Sequence, residues 1–182
     1  MQKNGSWQYT VLQMNDLPPK TQKFISIMNL DISKLTLVLL KADPNGWYGK
    51  LLQGSNNAEY NRFEKTIYFK NQLSISVTIH ELMHFYLDYF NYDTKAITEE
   101  FVKLHGQDAL PTNYALLNFY EKNWDEVVCE IVAAYGRRGQ FEKIKELFKQ
   151  EYYSSEERGY MKFFKNYPKE YMDYLKESKP QK

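Results

Sequence analysis

The sequence predicts an α+β fold in one domain, with a small twisted sheet first and a mainly helical half after it. Aliphatic and β-branched stretches suited to strands lie within residues 21–72, whereas helical periodicity dominates residues 73–182. Strands followed by helices differ from the alternating βαβ order of a parallel α/β fold. The length of 182 residues is close to that of one ordinary domain, so we expect no second one.

Composition and charge exclude several classes of protein. With 43% hydrophobic and 26% charged residues, the chain matches a folded globular protein rather than a disordered one. The net charge of +1 gives no global field that would favour nucleic acid or an anionic membrane as a partner.

The one cysteine of the sequence, Cys129, suits a reducing compartment. The start of the sequence has no signal-peptide pattern, and the longest aliphatic run, 35–40, is too short for a membrane span. We therefore expect a cytoplasmic protein, and the sequence leaves its oligomeric state open.

The first third of the chain predicts a short helix and a few strands. Residues 1–20 are predicted to form an extended arm, which ends at the Pro18-Pro19 pair that favours the start of a helix. We expect a helix over 20–28, a strand over 35–41, a turn over 43–46, a hairpin partner over 47–52, a loop over 54–57 and an edge or half-buried strand over 64–69.

The remaining elements are predicted to be helices with recognisable starts and stops. Thr94 is the expected N-cap of the second of these helices and Gly106 its stop. The predicted ranges are 74–90, 95–105, 113–120, 124–137, 141–152 and 156–164, with a last short helix after Pro168.

The motif that carries chemistry is His80-Glu81-Leu82-Met83-His84, an H-E-x-x-H sequence inside the predicted 74–90 helix. Residues four apart share one face of a helix, so both imidazoles can reach one metal ion. Zinc lowers the pKa of its water to about 7, and Glu81 is placed to take the proton as general base.

The helix around this motif is apolar on most sides. Its apolar residues are Ile75, Val77, Ile79, Leu82, Met83, Phe85, Leu87 and Phe90. We expect such a helix to be buried, and burying two imidazoles and a carboxylate without partners costs several kcal/mol. A metal ion would supply the missing partner.

A third protein ligand is expected, because catalytic zinc usually has three. Glu126 and Glu130 lie one turn apart on the otherwise apolar 124–137 helix, which makes a carboxylate pair there expensive without a cation. Glu126 is the favoured ligand. The alternatives are Glu130, His105, Glu99, Glu100 and Asp88. Asp88 is the least suited of them, because helix rise puts it about 12 Å from His80.

The two motifs together resemble the gluzincin subgroup of zincin metallopeptidases, in which H-E-x-x-H is followed by a helix carrying E-x-x-x-D/E. The resemblance implies a zincin-like fold, with Glu126 as third zinc ligand and Glu130 orienting His80. The 111–115 segment, Pro-Thr-Asn-Tyr-Ala, and the 125–130 segment also resemble peptidases related to anthrax lethal factor. Metzincins are excluded, because Leu87 and Phe90 stand where their Gly and third His would be.

The resemblance implies a zinc-dependent metallopeptidase that hydrolyses a peptide or protein substrate, with Zn²⁺ as cofactor. Tyr114 is the favoured oxyanion donor, and Tyr120, Tyr135 and His105 are alternatives. Substrate is expected to add to an edge strand, for which 64–69 is the candidate. The alternative function is a zincin-fold regulatory or binding protein that has a single protein target or no proteolytic activity.

Overall fold

The computed structural model describes residues 8–41, 58–70, 72–90 and 92–148. Within these ranges the chain is a mainly helical α+β protein, as predicted. The strands are β1 (Gln8–Val11), β2 (Thr36–Lys41), β3 (Ala58–Asn61) and β4 (Thr66–Lys70). The α-helices are α1 (Pro19–Ile27), α2 (Ile75–Phe90), α3 (Thr94–His105), α4 (Asn113–Tyr120), α5 (Trp124–Arg137) and α6 (Phe141–Leu147). Short 3₁₀ turns occupy Met14–Asp16, Ile32–Lys34 and Gln107–Ala109.

The four strands form one mixed sheet in the order β1-β2-β4-β3. β2 and β4 are parallel, and β1 and β3 run antiparallel to them at the two edges. The prediction that 64–69 is an edge strand, open to substrate, is wrong, because β4 is central and β3 is the edge. The reason is a turn after β3, in which the Asn61 side chain accepts hydrogen bonds from the amides of Phe63 (3.0 Å) and Glu64 (3.1 Å). This Asn-centred turn reverses the chain and brings β3 beside β4.

Part of the predicted extended N-terminal arm belongs to the sheet. Residues 8–11 form β1, which pairs with β2 over the register Gln8↔Lys41 to Val11↔Val38. Strand pairing of this kind is long-range, so the local sequence of the arm gave no sign of it. The predicted turn 43–46, hairpin partner 47–52, loop 54–57, helix 156–164 and last helix after Pro168 lie outside the described residues.

The helices follow the predicted ranges closely. α4 and α5 have the predicted bounds, and α2 begins one residue later than predicted. Thr94 is not the N-cap of α3, because it is the first helical residue and the Asp93 side chain accepts from the Ala96 amide at 3.0 Å. Gly106, with φ +85, ends that helix as expected. α6 ends at Leu147, short of the predicted 152, and residues 149–152 are not described.

The packing of α2 against both the sheet and α5 positions the H-E-x-x-H face. Ile79 on α2 is fully buried, and Gly136 on α5 leaves room for its side chain where any Cβ would collide with it. On the sheet side, the Tyr60 ring of β3 meets the Phe85 ring edge-on at 6.1 Å. The motif is thereby held between the edge strand β3 and the helix α5. None of the helices in the described ranges is both long and apolar enough to span a bilayer.

Candidate metal centre

The three motif residues lie together on one face of α2. His80 and Glu81 are buried and His84 is half-buried. The two imidazole rings are 5.0 Å apart between centroids, as expected for residues one turn apart. This spacing allows a nitrogen of each ring to reach the same metal ion.

The Glu126 carboxylate of α5 lies between the two imidazoles. Its Oε2 is 3.0 Å from His80 Nε2, and its Oε1 is 3.1 Å from His84 Nε2. Burial favours the protonated acid, but the hydrogen bonds with both histidines outweigh it and lower the pKa of Glu126. Two imidazole nitrogens and an ionised carboxylate therefore converge, and this is the donor set predicted for three protein ligands.

The second carboxylate, Glu130, lies on the other side of the His80 ring. Its Oε1 is 2.8 Å from His80 Nδ1, off the axis of the N–H bond, and Nδ1 has no better-aligned partner among the described residues. The other oxygen accepts a hydrogen bond from the Thr112 hydroxyl at 2.8 Å. Burial lowers the pKa of His80, but the contacts with the Glu126 and Glu130 carboxylates and the charge of Glu81 outweigh it and raise that pKa to about 9. Glu130 thus stands where a carboxylate can fix the ring orientation.

Comparisons with family models, curated proteins and solved structures found no match to this chain.

The Glu81 carboxylate faces the same space from the position next to His80. Burial raises the pKa of Glu81, and the charges of His80 and His84 oppose that rise. The backbone amide of Tyr60, on the edge strand β3, donates a hydrogen bond to this carboxylate. A raised carboxylate pKa moves the group toward the range in which it exchanges protons near neutral pH.

Tyr114 reaches the centre from α4. Its hydroxyl donates to Glu126 Oε2 at 3.2 Å, and its ring centroid is 6.3 Å from that of His80. Burial and the negative charge of Glu126 raise the pKa of Tyr114 to about 12. The phenol therefore keeps its proton at neutral pH and remains a hydrogen-bond donor.

All six predicted site residues line one cleft of about 750 Å³. They are His80, Glu81, His84, Tyr114, Glu126 and Glu130. The edge strand borders the same cleft through Ala58 and Tyr60. The cleft therefore combines the candidate metal donors, a candidate base and the edge strand of the sheet that the described residues form.

Cys129 offers a competing third donor. One ligand atom each from His80, His84 and Cys129 lies within 4.8 Å of the others. The thiol is fully buried, however, and burial together with the surrounding carboxylates raises its pKa well above the ordinary value. The ionised Glu126, which contacts both imidazoles directly, is the better third donor.

Apart from Glu130 and Glu100, the alternative ligands and donors from the sequence have partners outside the centre. Asp88 receives hydrogen bonds from the Tyr60 hydroxyl and from two cations, Arg62 and Lys65. Glu99 pairs with Lys95, His105 packs on Phe101, Tyr120 bonds Gln107 and Tyr135 lies beside Phe101. Glu100 is half-buried on α3.

Sequence reasoning missed two contacts of the site. The Tyr60 amide is a backbone group, and no residue type marks it in a sequence. Thr112 does carry a signal, since a Thr directly before a helix is a typical N-cap. That pattern predicts the cap of α4 but not the second bond to Glu130.

Proposed function

We propose that this protein is a zinc-dependent metallopeptidase with His80, His84 and Glu126 as metal ligands. The observation that carries the proposal is the convergence of both histidine Nε2 atoms on one Glu126 carboxylate, at 3.0 and 3.1 Å, inside an open cleft. Two imidazoles and a carboxylate are the ligand set of many catalytic zinc sites, which keep a further position open.

The donor set suits the metal chemically. Imidazole nitrogen and carboxylate oxygen both bind zinc, and the ionised Glu126 partly balances its charge. When bound, zinc supplies Lewis-acid chemistry that lowers the pKa of water to about 7 and polarises a carbonyl. Because the ionised Glu126 only accepts, its 3.0 Å contact needs a proton on His80 Nε2, and a bound metal ion would replace that proton. Glu130 would then hold the remaining imidazole proton on Nδ1.

The remaining residues have roles that follow from their positions. A carboxylate oxygen of Glu81 takes a proton from the attacking water and delivers it to the leaving amine nitrogen. The Tyr114 hydroxyl donates to the oxygen on which negative charge develops. The edge strand β3 offers its outward backbone groups to an extended substrate, and the Tyr60 amide also ties Glu81 to that strand.

Glu81→Gln tests the proposal with little change in shape. We expect the rate of hydrolysis of an unstructured protein such as casein to fall about 10²- to 10⁴-fold. Mass spectrometry of the cleavage products measures this rate. Zinc content should stay at the wild-type value, because Glu81 is not a ligand. The matched control is Glu142→Gln, which alters an exposed glutamate of α6 and should keep full activity.

Full activity in Glu81→Gln would contradict the mechanism. A wild-type protein that binds zinc yet cleaves neither casein nor a panel of unstructured peptides would instead favour the alternative, a protein with a single target or without proteolytic activity.

A further inference from the structure

Thr112 makes two hydrogen bonds that join different parts of the molecule. As the N-cap of α4, its hydroxyl oxygen accepts from the Ala115 amide at 2.9 Å. The same hydroxyl donates to Glu130 Oε2 on α5 at 2.8 Å. A threonine hydroxyl has one proton, and here that proton is directed to Glu130.

The Glu130 carboxylate is held at both of its oxygens. Oε2 accepts from Thr112, and Oε1 lies 2.8 Å from Nδ1 of His80. The contact at Oε1 alone leaves the planar carboxylate able to turn about that one point. The Thr112 bond supplies the second fixed point that a planar group needs to hold one orientation.

The same cap also sets the position of Tyr114. Tyr114 is the second residue of α4, directly after the capped start, and its hydroxyl contacts Glu126 Oε2 at 3.2 Å. The Thr112 side chain thus links Glu130, which contacts His80, to α4, which carries Tyr114.

We infer that Thr112 is a positioning residue of the metal centre, which orients His80 through Glu130 and fixes α4, with Tyr114, against the same centre. The inference rests on the proposed zinc site and extends it to a residue outside both sequence motifs. Groups that contact a metal ligand directly typically change metal affinity 10- to 100-fold when removed, and Thr112 acts one contact further out, so we expect an effect at the lower end of that range.

The test measures the zinc dissociation constant of the full chain by competition with a chromophoric chelator. Thr112→Val keeps the shape but removes the hydroxyl, and Thr112→Gly removes it while remaining acceptable as an N-cap. We expect both to weaken zinc binding about 10-fold. Thr112→Ser keeps the donor and the acceptor and should restore affinity close to that of the wild type.

A purely structural role gives a different pattern. A residue that only caps α4 would lower the unfolding midpoint of the metal-free protein in Thr112→Val while leaving the zinc affinity of all three variants equal to wild type. That result would overturn the inference and leave the proposed function standing. Absence of zinc binding in the wild type would overturn both. If Thr112→Val does not fold, the zinc affinities of Thr112→Gly and Thr112→Ser still test the inference.

Discussion

His80 is the most constrained residue of the centre. It is buried, its Nε2 faces Glu126 and its Nδ1 faces Glu130. Two carboxylates on one imidazole hold the ring in a single orientation, which a ligand needs if its lone pair is to meet a metal ion. The same two contacts explain why the pKa of His80 is raised despite its burial.

Tyr114 carries the next prediction at the residue scale. Because its phenol stays protonated at neutral pH and its hydroxyl lies 3.2 Å from Glu126, Tyr114→Phe removes a donor from the site without removing a ligand. We expect kcat to fall about 10²- to 10³-fold, the usual cost of one oxyanion donor. Zinc affinity should fall by no more than about 10-fold, because Glu126 loses one neutral hydrogen bond but stays in place. Steady-state kinetics and zinc titration measure the two effects separately.

Tyr120→Phe is the matched control, since Tyr120 lies on the same helix but its hydroxyl bonds Gln107 instead of Glu126. Its kcat should equal that of the wild type. If kcat is unchanged in Tyr114→Phe as well, Tyr114 only lines the cleft and is not the oxyanion donor.

At the scale of elements, Asp88 fastens the β3–β4 hairpin to α2. Its carboxylate accepts from Lys65 at 2.6 Å, from Arg62 at 3.1 Å and from the Tyr60 hydroxyl at 2.9 Å. Burial raises the pKa of Asp88, but these hydrogen bonds and positive charges outweigh it, and the net effect is a lowered pKa. The contact holds the edge strand, and with it the Tyr60 amide, over the site.

Asp88→Asn should therefore weaken the fold in a pH-dependent way. We expect a loss of about 1–2 kcal/mol in the free energy of unfolding at pH 7, modest because both cations are half-exposed or more. A carboxylate with a lowered folded-state pKa stabilises above its unfolded pKa of about 3.9, and this stabilisation is lost as the pH falls through the folded pKa. The difference between wild type and variant should shrink below about pH 4.

Urea unfolding at pH 7 and at pH 3 measures this difference, with Asp108→Asn as the control on an exposed aspartate. A loss that is equal at both pH values would show that the charge of Asp88 does not hold the hairpin.

Elements with strong local signals could be predicted from the sequence. α4 and α5 have the predicted bounds because apolar periodicity and cap residues are local properties. The strand β3, Ala-Glu-Tyr-Asn, has four residues and none that is β-branched, so nothing local marks it. β1 depends on pairing with β2, which no local pattern encodes.

The contacts of the site also divide into those that local spacing predicts and those that depend on packing between elements. Positions four apart on a helix share a face, so the placement of His80 with His84 and of Glu126 with Glu130 could be predicted from spacing alone. The contacts of Thr112 and of the Tyr60 amide could not, because they depend on how α4 and β3 pack against other elements.

At the scale of the molecule, the site exists only because separate elements meet. The histidines come from α2, Glu126 and Glu130 from α5, Tyr114 from α4 and the cleft edge from β3. α2 and α5 approach each other closely where Gly136 meets Ile79, the residue next to His80. A ligand that bridges two packed helices should also stabilise the folded state.

Metal content tests the central claim most directly. Elemental analysis of the purified chain after exposure to zinc should find close to one zinc per wild-type molecule, and the same in a Glu142→Ala control. Glu126→Ala should lose most of that zinc, because it removes the carboxylate that both imidazoles contact. No zinc in the wild type, or zinc that survives Glu126→Ala and is lost in Cys129→Ser, would contradict the account.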